Sequence, residues 1–353
     1  MTSPVAPVTN RIKDLIDELL DRDYYATAGR TLDAIQTNAT TGLIGKRLSE
    51  LQVEAQRLQA IGQTLTPDNP VYVTFRGDLD QFLNSATFLM DGSAGAVRNI
   101  GVNAAGQLTR GLALGDVNDR QLEVIGIRWN TPDPEVVNRI VGYVDNPAWQ
   151  ASLQQYRDYI PEVVNNTLLK NFASGINPMA TVFQISDMME QMPVHHASTL
   201  LRSLQLTSYR DATAMHQLAN ADIIEKVIRI AALDHRTCLG CIALHGTEIP
   251  LGDRVDDHRN GRCTSISVVK GYPRQIQSGE DWFQSQHPSR QHQIMGSANY
   301  NAWKDGAVQL SDFPKRAQDK VFGPVIVENS LIGVLGPTAE KYYVRNGGNQ
   351  YGS

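Results

Sequence analysis

Cysteine is scarce, with three in a chain of 353 residues. So small and odd a number excludes a disulfide framework, and in a reducing compartment a C-x-x-C pair points to a metal or redox element. Long apolar runs are missing too. No stretch of about 18 consecutive apolar residues occurs, so no membrane-spanning helix is expected. The opening "MTSPVAPVTN" has neither the basic start nor the apolar core of a secretory signal, which leads to an expectation of cytosolic synthesis. There is no long run of one charge sign. The net charge of −5 argues against coating nucleic acid by bulk charge, so any DNA contact is expected to be local, weak and salt-sensitive. H-E-x-x-H, G-x-S-x-G and G-x4-G-K-[ST] are all absent, and no H-x-E precedes the C-x-x-C as a zinc deaminase would require.

What is present reads as helix for the first two thirds. Hydrophobic residues at 41% and charged residues at 20% indicate a globular chain, and its length suggests two or three domains. Ile12, Leu15, Ile16 and Leu19 predict a helix over Arg11–Leu20, with Asn10 as its cap. Ile44, Leu48, Leu51, Ala55 and Leu58 alternate in steps of four and three, the seam of a helix in an antiparallel bundle, with a docking face as the other use of the same stripe. After "TLTPDNP", Leu79, Phe82, Leu83, Ala86, Leu89 and Met90 predict another helix. The Gly- and Asn-rich "DGSAGAVRNIGVNAAGQ" dilutes that signal and suggests a soft boundary around Leu112–Thr131. A further helix is expected from Pro134, capped by Thr131 or Asp133. From Trp149 to about Ala221 several helices are expected, with breaks at Pro161, "SGINP" and Pro193, and with His195 and His196 at a helix start.

The pattern then changes. Lys226–Leu233 and Thr264–Gly271 read as short strands, "DWFQSQ" to Trp303 as helix, and "PVIVENSLIGVLGP" as an extended or hairpin element. All three cysteines fall between or beside the two strands, in C-x2-C-x16-H-x4-C, which is the paired-ligand spacing of structural Cys3His zinc sites. The candidate metal ligands are Cys238, Cys241, His258 and Cys263. A redox pair, or cysteines serving only as small buried hydrophobes, use the same residues. His235 and His245 compete as ligands, with a surface or hydrogen-bonding role the expected outcome for each; His287 and His292 fit a solvated helix face. Two catalytic uses draw on the same residues: Cys263 as a nucleophile with His258 as base, and a nuclease centre using "DDH" and Asn260.

The stretch "LDHRTCLGCIALHG" followed by "HRNGRC" resembles the signature of the phage Mu protein F-like family of minor head (head-morphogenesis) proteins. That signature reads D-x-R-T-C-x-x-C-x-x-L-x-G, then a loop, then H-P-N-C-R-C and a strand. Asp234, Arg236, Thr237, Cys238, Cys241, Leu244 and Gly246 match, as do His258, Asn260, Arg262 and Cys263. The resemblance covers roughly Lys226–Val269. It thins outside that range: Thr207 and Arg210 do not reproduce the family's A-R-T-E, whereas Ile294, Gly296, Trp303, Gly306, Leu310 and Asp312 are similar to the tail of many members. The first 150 residues carry no match. Two positions depart from the pattern, Arg259 standing where the family has proline and Gly261 where it commonly has cysteine.

The switch from 3.6-residue to short β-rich patterning predicts an α+β protein: a mainly helical N-terminal part to about residue 220, then a small α+β module with short strands, which the ligand spacing makes zinc-pinned. The corresponding segments are 1–130, a helical N-terminal region; 131–272, the head-morphogenesis module with the Cys/His cluster; and 273–353, a C-terminal helical and extended segment. The resemblance implies a non-enzymatic virion protein, inside the head near the portal and in the host cytoplasm during assembly. Its expected partners are portal protein, major capsid or scaffold protein, and packaged DNA, with several copies around the portal vertex and no membrane. The alternative is a metal-dependent nuclease or toxin-type enzyme carried in the head, since some members carry such domains.

Overall fold

The computed structural model of the chain describes residues 22–115, 119–124, 126–142, 147–271 and 276–344. The expected helix over Arg11–Leu20 lies outside these residues. The chain is mostly helical, with a small antiparallel sheet toward its C-terminal end. Among the described residues no helix is long and apolar enough to cross a membrane. Two compact units are formed, one from residues 22–100 and 142–205, the other from 101–141 and 206–344. Each is therefore discontinuous in sequence, unlike the contiguous segments 1–130, 131–272 and 273–353.

The first unit opens with α1 (Asp23–Thr40) and α2 (Leu43–Ala60), which pack against each other across a two-residue turn. The turn depends on glycine: a Cβ on Gly45 would lie 1.9 Å from the Thr40 carbonyl oxygen. The predicted seam is real and internal, because Ile44, Leu48, Leu51, Ala55 and Leu58 are all buried. Its use as a docking face is thereby overturned; the apolar stripe is consumed by the protein's own core. Three long helices follow. The helix α3 (Pro70–Leu114) and α6 (Pro147–Ala173) meet where the indole N–H of fully buried Trp149 donates to Asp91 at 2.9 Å. In α7 (Pro178–Leu218) the Pro193 carbonyl accepts the Tyr156 hydroxyl at 3.1 Å, and the Tyr24 hydroxyl of α1 donates to the Ser198 carbonyl at 3.0 Å.

Several expectations are corrected here. The Gly-rich run does not weaken α3, which continues to Leu114, because Ala94, Val97, Gly101, Ala105, Leu108 and Leu112 form a buried stripe at helical spacing. Burial outweighs the propensity cost of glycine, about 1 kcal/mol per residue. Pro161 and Pro193 lie inside α6 and α7 rather than breaking them. Buried residues on both sides of each proline, Ile160 with Val164 and Met189 with Ala197, hold the helix across the missing hydrogen bond. His195 and His196 therefore sit well inside α7, not at a helix start.

The second unit begins with α4 (Asp119–Val124) and α5 (Pro134–Val141). The Asp133 carboxylate accepts the Glu135 N–H at 2.8 Å and Pro134 occupies the first turn, the cap expected for this helix. Three strands form an antiparallel sheet in the order β2-β1-β3: β1 (Ile224–Ile230), β2 (Glu248–Ile249) and β3 (Thr264–Val269). The predicted strands match β1 and β3 to within three residues at each end, with Ile228 opposite Ile266; the two-residue β2 was not anticipated. Every residue of β3 is buried, although β3 is an edge strand, because α7 covers it. The Tyr209 hydroxyl and Thr264 hydroxyl are 2.8 Å apart, and the Gln217 amide donates to the Ser265 hydroxyl at 3.0 Å.

Between β1 and β2 stands a short helix, α8 (Leu239–Ala243), carrying the C-x-x-C. Its apolar side enters a core formed by Leu239, Ile242, Phe283, Met295, Leu310, Phe313 and Tyr342. These residues come largely from α9 (Gly279–Gln284), α10 (Pro288–Lys304), and α12 (Glu340–Val344), which follows α11 (Leu331–Leu335). The expected helix to Trp303 is thus two pieces, and α10 is itself kinked where Gly296 takes φ 72°. The late extended element is the second arm of a hairpin, β4 (Pro314–Asp319) with β5 (Gly323–Glu328), after which the chain turns helical over Leu331–Leu335. The residues after 272 are therefore not an appendage: they supply the floor on which α8 rests.

If the α2 seam is core, Leu51→Ala should lower the unfolding free energy by about 2–5 kcal/mol in a denaturant titration. A loss under about 0.5 kcal/mol, typical of a surface site, would show the seam to be free.

Candidate metal centre

The C-x-x-C sulfurs are placed by local capping. Cys238 is the N-cap of α8, and its sulfur accepts the Cys241 N–H at 3.3 Å. The preceding turn is fixed by Asp234, whose carboxylate accepts the Arg236 N–H at 2.9 Å and the Thr237 hydroxyl at 3.1 Å. Arg262, from the other end of the excursion, pairs with the same carboxylate at 2.5 Å. On the opposite side, residues 258–261 form a turn closed by Gly261 N–H to the His258 carbonyl at 2.9 Å. Asn260 takes φ 58° there, a left-handed conformation that asparagine tolerates better than most residues.

This arrangement brings Cys238, Cys241 and His258 together, their ligand atoms within 4.8 Å of one another. His258 Nε2 lies 3.6 Å from the Cys238 sulfur and 3.8 Å from the Cys241 sulfur. A tetrahedral zinc with bonds of about 2.3 Å to sulfur and about 2.0–2.1 Å to nitrogen has an S···N edge of about 3.6 Å, so the three donors fit. His258 Nδ1 lies 2.9 Å from the Arg259 carbonyl. Donation to that carbonyl leaves Nε2 as the ligand atom, the usual orienting contact of a metal-bound imidazole.

A second group, Cys241, Asp257 and Cys263, overlaps the first at Cys241. The expected fourth ligand, Cys263, falls in this second group rather than beside Cys238 and His258. The five residues together could hold a metal ion. Asp257, which motif reasoning read only as part of a nuclease triplet, is the organiser of the cluster. One carboxylate oxygen accepts Arg210 and the Cys263 N–H, each at 3.0 Å; the other accepts the His258 N–H at 3.0 Å. Arg229 approaches the second oxygen at 3.6 Å and the Cys241 sulfur at 3.8 Å. Arg210 also donates to the Cys263 carbonyl at 2.9 Å and to the Gly261 carbonyl. No local motif signals Arg210 or Arg229; one lies on α7 and the other on β1, and only their buried, charged character hints at a partner.

The electrostatics follow from these contacts. The Cys238 thiol is pulled down to about 5, first by hydrogen bonding from Cys241 and then by His258, while Cys241 is pushed well up by its bond to Cys238, by Cys263 and by burial. Cys238 in turn raises His258 to about 9. Asp257 stays below the ordinary carboxylate range: burial opposes this, and the two arginines overcome it. Comparison with family models, curated proteins and solved structures returned no match.

The other histidines are elsewhere. His245 is buried, and its Nδ1 accepts the Ala231 N–H at 2.9 Å, the hydrogen-bonding role expected for it. His235 is exposed, His292 is exposed on α10, and His287 caps that helix by accepting the Ser289 N–H at 3.3 Å.

Two outcomes follow. Arg210→Met, which leaves buried acceptors without their donor, should cost about 3–5 kcal/mol of stability, measured by chemical denaturation; a loss below about 1 kcal/mol would remove Asp257 from its organising role. The second concerns His245, which burial lowers from 6.5 to about 4. The folded state then binds fewer protons than the unfolded chain between those values. Its contribution is complete above pH 6.5 and is lost as the pH falls toward 4, by on the order of 3 kcal/mol. His245→Gln, keeping an acceptor without a titration, should flatten this part of the stability–pH profile; profiles parallel to the unchanged protein would refute it.

Proposed function

We propose that this chain is a structural minor head protein of a tailed bacteriophage, acting beside the portal inside the head in assembly and DNA packaging or delivery, without enzymatic turnover. The observation that carries the reading is how the residues of the Mu F-like resemblance are used. Asp234, Thr237, Cys238, Cys241, His258, Asn260, Arg262 and Cys263 all bind one another or set the turns between them. A set of residues engaged with itself supports a pinned scaffold rather than a reaction centre.

The metal in this reading is a structural zinc, held by Cys238, Cys241 and His258 with a fourth donor from the Cys241–Asp257–Cys263 group. When bound it supplies cross-linking of α8 to the 258–263 turn, and through them of β1 to β3, independent of a large core. Such a module would keep its shape while DNA is forced past it. The partners are portal protein first, with major capsid or scaffold protein and packaged DNA as further contacts.

Two measurements test this. Elemental analysis of purified protein should find one zinc per chain, and a chelator should lower the melting temperature; a metal-free preparation unaffected by chelator removes the zinc. A pull-down from assembling heads should recover the chain with portal protein and lose it when portal is deleted. Portal-independent capture, or nuclease or transferase turnover by the isolated chain, would overturn the structural role in favour of the metal-dependent enzyme.

A further inference from the structure

The spacing of the motif nominates Cys263 as the fourth ligand, but the geometry points to Asp257, and we propose that its carboxylate completes the metal site. This rests on the zinc reading above. Three observations carry it.

The first is position. A fourth tetrahedral ligand must lie about 3.3–3.8 Å from each of the other donors, given bonds of about 2.0–2.3 Å. The Asp257 oxygen Oδ1 is 3.4 Å from the Cys241 sulfur and 3.7 Å from His258 Nε2, so two edges of the polyhedron are already formed. Asp257 and Cys263 both lie outside the Cys238–Cys241–His258 set, so the edge from Oδ1 to the Cys238 sulfur, beyond 4.8 Å, has to close when the metal binds; what separates Asp257 from Cys263 is its second edge, to His258 Nε2.

The second is valence. A carboxylate offers about four acceptor sites. Oδ2 uses its two on Arg210 and the Cys263 N–H, whereas Oδ1 accepts the His258 N–H and the neutral Cys241 thiol at 3.4 Å, with Arg229 3.6 Å away. A metal-bound Cys241 is a thiolate with no proton to donate, so metal binding frees that site on the oxygen beside Cys241 and His258. The side chain is fully buried, so water cannot take that site without entering the cluster.

The third is the departure at Gly261. A Cβ on residue 261 would lie 2.2 Å from Asp257 Oδ2 and 2.6 Å from Oδ1. The carboxylate therefore fills the space that any side chain at 261 would need. Where the resembling family commonly has cysteine, this chain has glycine and places a carboxylate oxygen in the vacated volume. The donor set becomes two sulfurs, one nitrogen and one oxygen, with Cys263 left beside Arg229 and engaged through its backbone with Arg210 and Asp257.

X-ray absorption at the zinc edge on the full chain loaded with zinc alone tests the assignment without a mutation. The expected first shell is two sulfurs at about 2.3 Å and two light atoms at about 2.0 Å. Three sulfurs and one light atom would overturn the assignment to Asp257 while leaving the structural zinc intact, and a chain that takes up no zinc would overturn both. Cys263→Ala provides a second readout: it should keep one zinc per chain, the same sulfur count and an unchanged cobalt-substituted visible spectrum. Loss of metal or of one sulfur-to-cobalt charge-transfer contribution in that variant would assign the ligand to Cys263. Asp257→Asn, which keeps an acceptor for the Cys263 N–H, should weaken zinc affinity by more than about 100-fold, beyond what an outer contact alone produces; a smaller change would count against ligation.

Discussion

The buried carboxylate of Asp257 is the constraint on which the second unit depends. It ties Arg210 of α7, Arg229 of β1 and the backbone of the 258–263 turn to one point, so that helix, strand and loop cannot move independently. Two guanidinium groups against one carboxylate leave a buried positive excess, and the Cys241 sulfur lies 3.8 Å from Arg229. Buried charges are tolerable only when paired and hydrogen-bonded on all sides, which explains why so many backbone carbonyls and N–H groups converge here.

Around that point the module is built in two layers. One face of α8 presents sulfur to the cluster, while its other face buries Leu239 and Ile242 in the C-terminal core. The β4–β5 hairpin closes the arrangement: Glu328 accepts the Leu239 N–H at 2.7 Å, and Asp319 pairs with Arg259 at 2.8 Å. A five-residue helix has little stability alone, so its orientation is borrowed from the hairpin, the core and the cysteine cap. The same borrowing is the physical argument for a structural metal, since a ligand loop of this length orders more completely when cross-linked.

Much of the fold could be read in the sequence because it depends on local periodicity. The seam from Ile44 to Leu58, the Asp133 cap, and strands β1 and β3 announce themselves within windows of about fifteen residues or fewer, through the 3.6- and 2-residue periods. The meeting of Cys238, Cys241 and His258 was also legible, since two tight turns at the ends of one excursion can bring their ligands together.

What only the tertiary structure decided is where distant groups spend their hydrogen bonds and which apolar stripes find partners. The helix through the Gly-rich run, and the passage of α6 and α7 through Pro161 and Pro193, reverse the local preference because burial on either side outweighs it. Arg210 and Asp257 are 47 positions apart, and nothing within either neighbourhood specifies their 3.0 Å contact. The use of Gly261 belongs to the same class. From the sequence it is a missing cysteine; in the fold it is room for a carboxylate, because Cβ positions and buried charge are settled by packing among elements, not by spacing along the chain.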